Sequence, residues 1–159
     1  MITAESVNKV EEEMDGLTAE QLDPAIERLL DAQPVVKEYL VGFSNGEVRI
    51  LELVLVMSFF VFKAYEAEYP GKPPRVKRDD FESIIDVANA WIDQLDSTGM
   101  PDPRPEAEPV LLTFIIESLN NPRWDTTRYT AREQRHGLAI VNMVILALNR
   151  AARRLKTFN

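Results

Sequence analysis

The sequence predicts an all-α protein, a single-domain bundle of about six or seven helices over 1–159 with three strongly apolar core helices. Three observations carry that expectation. Apolar residues recur at intervals of three and four along most of the chain. Residues 47–66 pass without a turn signal, whereas strands usually stop by about ten residues. Helix start signals of one kind recur at four separate places.

The elements follow in order. The N-terminal stretch MITAESVNKVEEEMDG is polar and acidic, with no apolar run of a signal peptide. Thr18-Ala19-Glu20-Gln21 reads as a capping box: the Thr18 hydroxyl accepts from the Gln21 N–H while the Gln21 side chain reaches back. After it, Leu22, Ile26, Leu29 and Leu30 form one apolar face, and Val36, Tyr39, Leu40 and Phe43 form another. Ser44-Asn45-Gly46 is a short turn, and Ser44…Glu47 repeats the capping-box spacing.

The segment from Val48 to Phe62 is rich in β-branched and aromatic residues and alternates at first, which favours a strand locally. Its unbroken length points to a central helix, apolar almost all round and therefore buried almost all round. Tyr69-Pro70-Gly71-Lys72-Pro73-Pro74 is a loop, because proline inside a helix costs about 3 kcal/mol. Asp79…Glu82 is another start signal. The stripe Phe81, Ile84, Ile85, Ala88, Trp91, Ile92, Leu95 then predicts a helix over 79–96 with Glu82, Asp86, Asn89 and Asp93 on its solvated side.

A proline-bearing loop, 97–109, precedes an expected core helix over 107–119. Thr130…Glu133 starts the last helix. Its seam Leu138, Val141, Ile145, Leu148, Ala152, Leu155 steps by three and four, with Ile140, Val144 and Leu146 adding burial on further sides. Asn142 and Asn149 read as its polar face, together with Arg135 and Lys156. The longest apolar stretches, Leu53–Phe62 and Leu138–Leu148, are ten and eleven residues, short of the about 20 a spanning helix needs.

Composition bounds the chemistry. The chain has no cysteine, which removes disulfides, thiolate nucleophiles and zinc fingers together and fits a cytoplasmic setting. Net charge is −8, but unevenly spread: residues 1–122 hold 24 acidic and 10 basic side chains, and residues 123–159 hold 2 and 8. Such acidity disfavours nucleic acid as a partner without removing a local basic site. No phosphate-binding glycine loop, nucleophile elbow or zinc-protease signature is present, which lowers the case for an enzyme.

Glu133-Gln-Arg-His136 has the Glu-x-x-His spacing of carboxylate-bridged metal helices, for which Glu52 and Glu117 would have to supply inward carboxylates. The simpler account makes Glu133 a cap, and pairs Glu52 with Arg49 or with an arginine of the last helix near the rim of the core. The segment NPRWDTTRYTAREQRH, 121–136, is the main candidate surface. Arg123, Trp124, Arg128, Tyr129, Arg132 and Arg135 are its candidate binding residues. Cations in a first helical turn oppose the helix dipole, so local helix physics does not account for them. Arginine and tryptophan are enriched at protein-binding hot spots, and arginines around a helix N-terminus also suit an anion. The competing account pairs these arginines with acids of 1–122 inside the fold. A second basic cluster, Lys72, Arg75, Lys77 and Arg78, reads as a solvated loop balancing Asp79 and Asp80. The tail Arg150, Arg153, Arg154 and Lys156 suits a helix C-terminus.

The reading this supports is a non-enzymatic helical module that binds another protein, as an adaptor, regulator or inhibitor. A homodimer, no cofactor and no membrane association are expected. A small-anion pocket at the start of the last helix is the alternative, and a ferritin-like metal enzyme a third.

Overall fold

The computed structural model describes residues 2–86, 90, 108, 110, 111, 115, 117 and 129–157. Among them there are six helices and no strand: α1 Ala4–Asp15, α2 Ala19–Ala32, α3 Pro34–Ser44, α4 Val48–Glu68, α5 Arg78–Glu82 and α6 Ala131–Thr157. None is long and apolar enough to cross a membrane.

Local chemistry explains most boundaries. Thr18 caps α2 as its spacing requires: its hydroxyl accepts from the Gln21 N–H at 3.3 Å and the Gln21 side chain accepts from the Thr18 N–H at 3.0 Å. Pro34 opens α3, where its missing N–H costs nothing, and forces α2 to end before it. Thr130 and Glu133 form the second reciprocal cap, at 2.8 and 3.1 Å.

Two start signals act differently from expectation. Ser44 is not the cap of α4. Its hydroxyl donates to the Leu40 carbonyl at 2.8 Å inside the last turn of α3. Asn45 and Gly46 then take positive φ angles of 50° and 78°, so the chain reverses by a left-handed turn before α4 begins. At α5 the cap moves two residues earlier: the Asp80 carboxylate accepts from the Lys77 N–H at 2.7 Å, where Asp79 had been expected to lead. That helix ends at Glu82, with Ser83 and Ile84 closing it by turn hydrogen bonds. Phe81 and Ile84 are buried as the stripe predicts; Ala88, Trp91, Ile92 and Leu95 lie outside the described residues.

The centre of the molecule is α4. From Met57 to Phe62 it is continuously buried, so the strand-like composition is that of a core helix. Helices α1, α2 and α3 pack on α4, and α6 makes its largest interface. Arg49 meets Glu133, and Tyr65 meets Asn149, each pair 84 residues apart. Equal separation at both ends means that α4 and α6 run parallel and in register. Gly137 allows the close approach: a Cβ there would lie 3.0 Å from Met57 Cε and 3.1 Å from Leu53 Cδ2. From Leu138 to Leu148 every residue of α6 is buried. Asn142, expected on a polar face, is only 5% exposed, and Asn149 accepts from the Tyr65 hydroxyl; both turn toward the core rather than solvent. Of the expected 107–119 helix, Leu111 and Ile115 are helical and fully buried.

Polar bonds tie the ends together. Glu68 accepts from Thr3 and from the Ser6 hydroxyl, at 3.0–3.2 Å and 2.5 Å respectively. Partial burial raises its carboxyl pKa, but these bonds outweigh that and hold it below the ordinary value. The Ile2 N–H donates to buried Glu108 at 2.8 Å. Burial, reinforced by the Glu108 charge, pushes the Tyr65 hydroxyl far up, so it is a fixed proton donor.

Candidate functional site

The first turn of α6 meets the first turn of α4, and the residues joining there form one surface cluster. Arg49 is the hub. Its Nε donates to Glu133 at 2.8 Å, and its guanidinium lies 5.5 Å from the centre of the Tyr129 ring. The Tyr129 hydroxyl lies 3.4 Å from Glu52 and its carbonyl accepts from Gln134 at 3.3 Å, so the ring is held at both ends. One position before Glu133, Arg132 donates to Glu47 at 3.2 Å. The Arg49 bond, together with the Thr130 N–H, lowers the Glu133 carboxyl to about 2, so it stays ionised. The reciprocal bond raises Arg49.

Of the expected binding residues, the structure brings Tyr129 and Arg132 into this cluster. Arg135, half-buried, takes no part in it. Arg123, Trp124 and Arg128 lie outside the described residues. Arg132 turns to an acid of the same chain, as the competing account held. The members not picked out for this surface are Arg49 and Glu47. Neither could be placed there without knowing that α4 and α6 begin side by side.

The rim location expected for Glu52 holds: it is exposed, it lies 3.4 Å from the Tyr129 hydroxyl, and its charge acts on Arg49 at i−3. Glu117 is exposed too. Glu133 is spent on its own cap and on Arg49, and His136 Nδ1 is buried with no hydrogen bond among the described residues. Among the described residues, no three acidic or histidine side chains come together at metal-binding spacing. An anion at the start of α6 would need the Glu133 N–H and the Arg132 guanidinium; Thr130 and Glu47 occupy them.

Apolar surface adjoins the cluster. Val48, between Glu47 and Arg49, is 67% exposed, and Val41 on α3, just before the same corner, is 50% exposed. A separate cleft of about 220 Å³ opens between α2 and α4, over Leu29 and Phe59. Its Lys63 is held by Glu66 at 3.2 Å and lies 5.7 Å from the Phe59 ring, so that cation is engaged internally.

Comparison with protein-family models, with curated proteins and with solved structures finds no match to this chain.

Proposed function

We propose that the chain is a non-enzymatic helical module that binds another protein through the corner where α3 meets α4, beside the start of α6. The observation that carries this reading is Val48. It is the most exposed of the large apolar side chains among the described residues, and it sits between two residues whose side chains are fixed by α6. An exposed apolar side chain flanked by ordered arginine and glutamate gives a small apolar centre with a polar rim, the layout of a protein interface. The ion pairs hold the rim in place before binding, which lowers the side-chain entropy lost on association. The anion alternative draws less support, because the donors it would use are already bonded.

The test is comparative. Val48→Glu places a charge at an exposed helix start and should leave far-UV circular dichroism and melting unchanged. A crosslinked partner captured by the wild-type chain in its native cells, and lost from Val48→Glu and Val41→Glu, supports the reading. Identical capture by all three chains defeats it. Concentration-dependent sedimentation abolished by Val48→Glu would identify the partner as a second copy, making a symmetric dimer.

A further inference from the structure

A second surface, at the other end of α6, joins two basic clusters that lie far apart in sequence. The loop after α4 is extended over 73–77 and alternates: Pro74 and Val76 are buried, Arg75 and Lys77 exposed. Gln33, itself buried, clamps it from one side. Its Nε2 donates to the Pro74 carbonyl at 3.1 Å and its Oε1 accepts from the Val76 N–H at 3.1 Å. Arg154 of α6 clamps the other side. It donates to the Arg75 carbonyl at 3.3 Å and grips Asp80 with both of its terminal nitrogens.

These bonds decide which charges face outward. Asp80 is 3% exposed and neutralised by Arg154, and Arg78 is held by Glu38 at 2.8 and 3.1 Å. Arg75 and Lys77 therefore project from a rigid extended segment. Lys72 lies before them in the loop, and Arg150 lies one turn before Arg154 on α6. Among the described residues, Asp79 and Glu82 are exposed acids that follow this segment, and Glu38 is taken up by Arg78. The body on which the patch sits is strongly acidic.

We propose that this composite patch (Arg75, Lys77 and Arg150, with Lys72 at its edge) docks a short segment of a partner protein rich in aspartate and glutamate. Charge complementarity selects an acidic ligand. Guanidinium groups match carboxylates in paired hydrogen bonds. The size of the patch selects a short one. Screening confines each charge to about 8 Å, so a long polyanion would extend past the cations onto acidic surface that repels it. Clamping by Gln33 and Arg154 means that the loop need not be ordered on binding. The proposal is independent of the Val48 surface, which lies at the opposite end of α6.

A short fluorescent peptide of glutamate and glycine, titrated with the full chain at low salt and followed by polarisation, tests it. Binding should weaken with added salt. Arg75→Glu/Lys77→Glu should weaken it by about tenfold, as expected for two exposed charge contacts reversed. Lys9→Glu/Lys37→Glu makes the same change of net charge on exposed positions of α1 and α3 and should leave binding within a factor of about two. Unchanged melting of both variants excludes misfolding. No binding, equal loss in both double variants, or tighter binding of an oligonucleotide of matched charge each overturns the proposal.

Discussion

Arg49 and Glu133 join α4 to α6 through a 2.8 Å hydrogen-bonded ion pair, and the same Glu133 closes the start of α6 by accepting from the Thr130 N–H. One carboxylate thus serves a tertiary contact and a helix cap. Its folded pKa of about 2 lies below the ordinary 4.5, so the unfolded chain binds the proton more tightly. The stabilisation is fully present above pH 4.5 and is lost as pH falls through that value toward 2. Urea midpoints should fall over this window in the wild-type chain and fall less steeply in Glu133→Gln. Identical slopes would show that the pair does not form in solution. Thr130→Ala, which removes only the other half of the cap, should cost about 1 kcal/mol at neutral pH.

The Asp80–Arg154 pair differs in burial, and its loss should be more costly. Asp80 is 3% exposed while the Arg154 side chain is 35% exposed, so water reaches one partner only. Arg154→Met leaves a buried carboxylate with the Lys77 N–H as its remaining described donor. A fully buried pair broken this way costs about 3–5 kcal/mol, and partial access to water brings the expectation to about 2–3 kcal/mol. Adding Asp80→Asn removes the stranded charge but keeps an oxygen for the Lys77 N–H. The double variant should therefore recover at least half of the loss in chemical denaturation. A double variant no more stable than Arg154→Met would mean that packing, not charge, holds α5 to α6.

Features decided within a few residues were legible in the sequence. The caps at Thr18 and Thr130 span only two intervening positions, the helix over 47–66 needs only its unbroken length, and the burial of 57–62 needs only its composition. Ser44 misled because the same hydroxyl can serve the helix behind it, and Asn45-Gly46 supplied a left-handed turn that made this the better use. Periodicity placed Asn142 and Asn149 on one stripe correctly. It could not say that α4 covers that stripe, because a helix wheel carries no information about neighbours. Arg49 escaped for the same reason: its role depends on α4 and α6 starting side by side, across 84 residues of sequence. The Arg75 carbonyl and Arg154 likewise meet only through the fold, across 79 residues of sequence.

Two glycines inside helices should respond to alanine with opposite signs. At Gly42 of α3 a Cβ would meet nothing within 4 Å, so Gly42→Ala gains helix propensity freely and should stabilise by about 0.5–1 kcal/mol. At Gly137 of α6 the same atom would press on Met57 at 3.0 Å and Leu53 at 3.1 Å. Both of those side chains are 3% exposed, so they can yield only by disturbing the packed α4–α6 interface. Overpacking costs about 1–3 kcal/mol against a propensity gain of about 1, giving a net loss on the order of 1 kcal/mol. Thermal melts of the two variants should move in opposite directions. A stabilised Gly137→Ala would mean that α4 and α6 lie farther apart than described.

Asn142 offers the clearest route to a more stable chain. Its side chain is 5% exposed in the middle of α6, and its Oδ1 makes no hydrogen bond among the described residues. Ser58, one heptad before Tyr65 on α4, holds the corresponding place there, and its buried hydroxyl also makes no hydrogen bond among the described residues. A buried acceptor without a donor costs about 1–3 kcal/mol, so an apolar side chain of similar size should do better. Asn142→Leu should raise stability by about 1–2 kcal/mol, with some of the gain offset by the different shape of leucine. Ser58→Ala, which deletes one unbonded oxygen, should be neutral or slightly stabilising. Chemical denaturation of both variants checks this, and a loss exceeding about 1 kcal/mol in Asn142→Leu would show that the amide has a bonded role in solution.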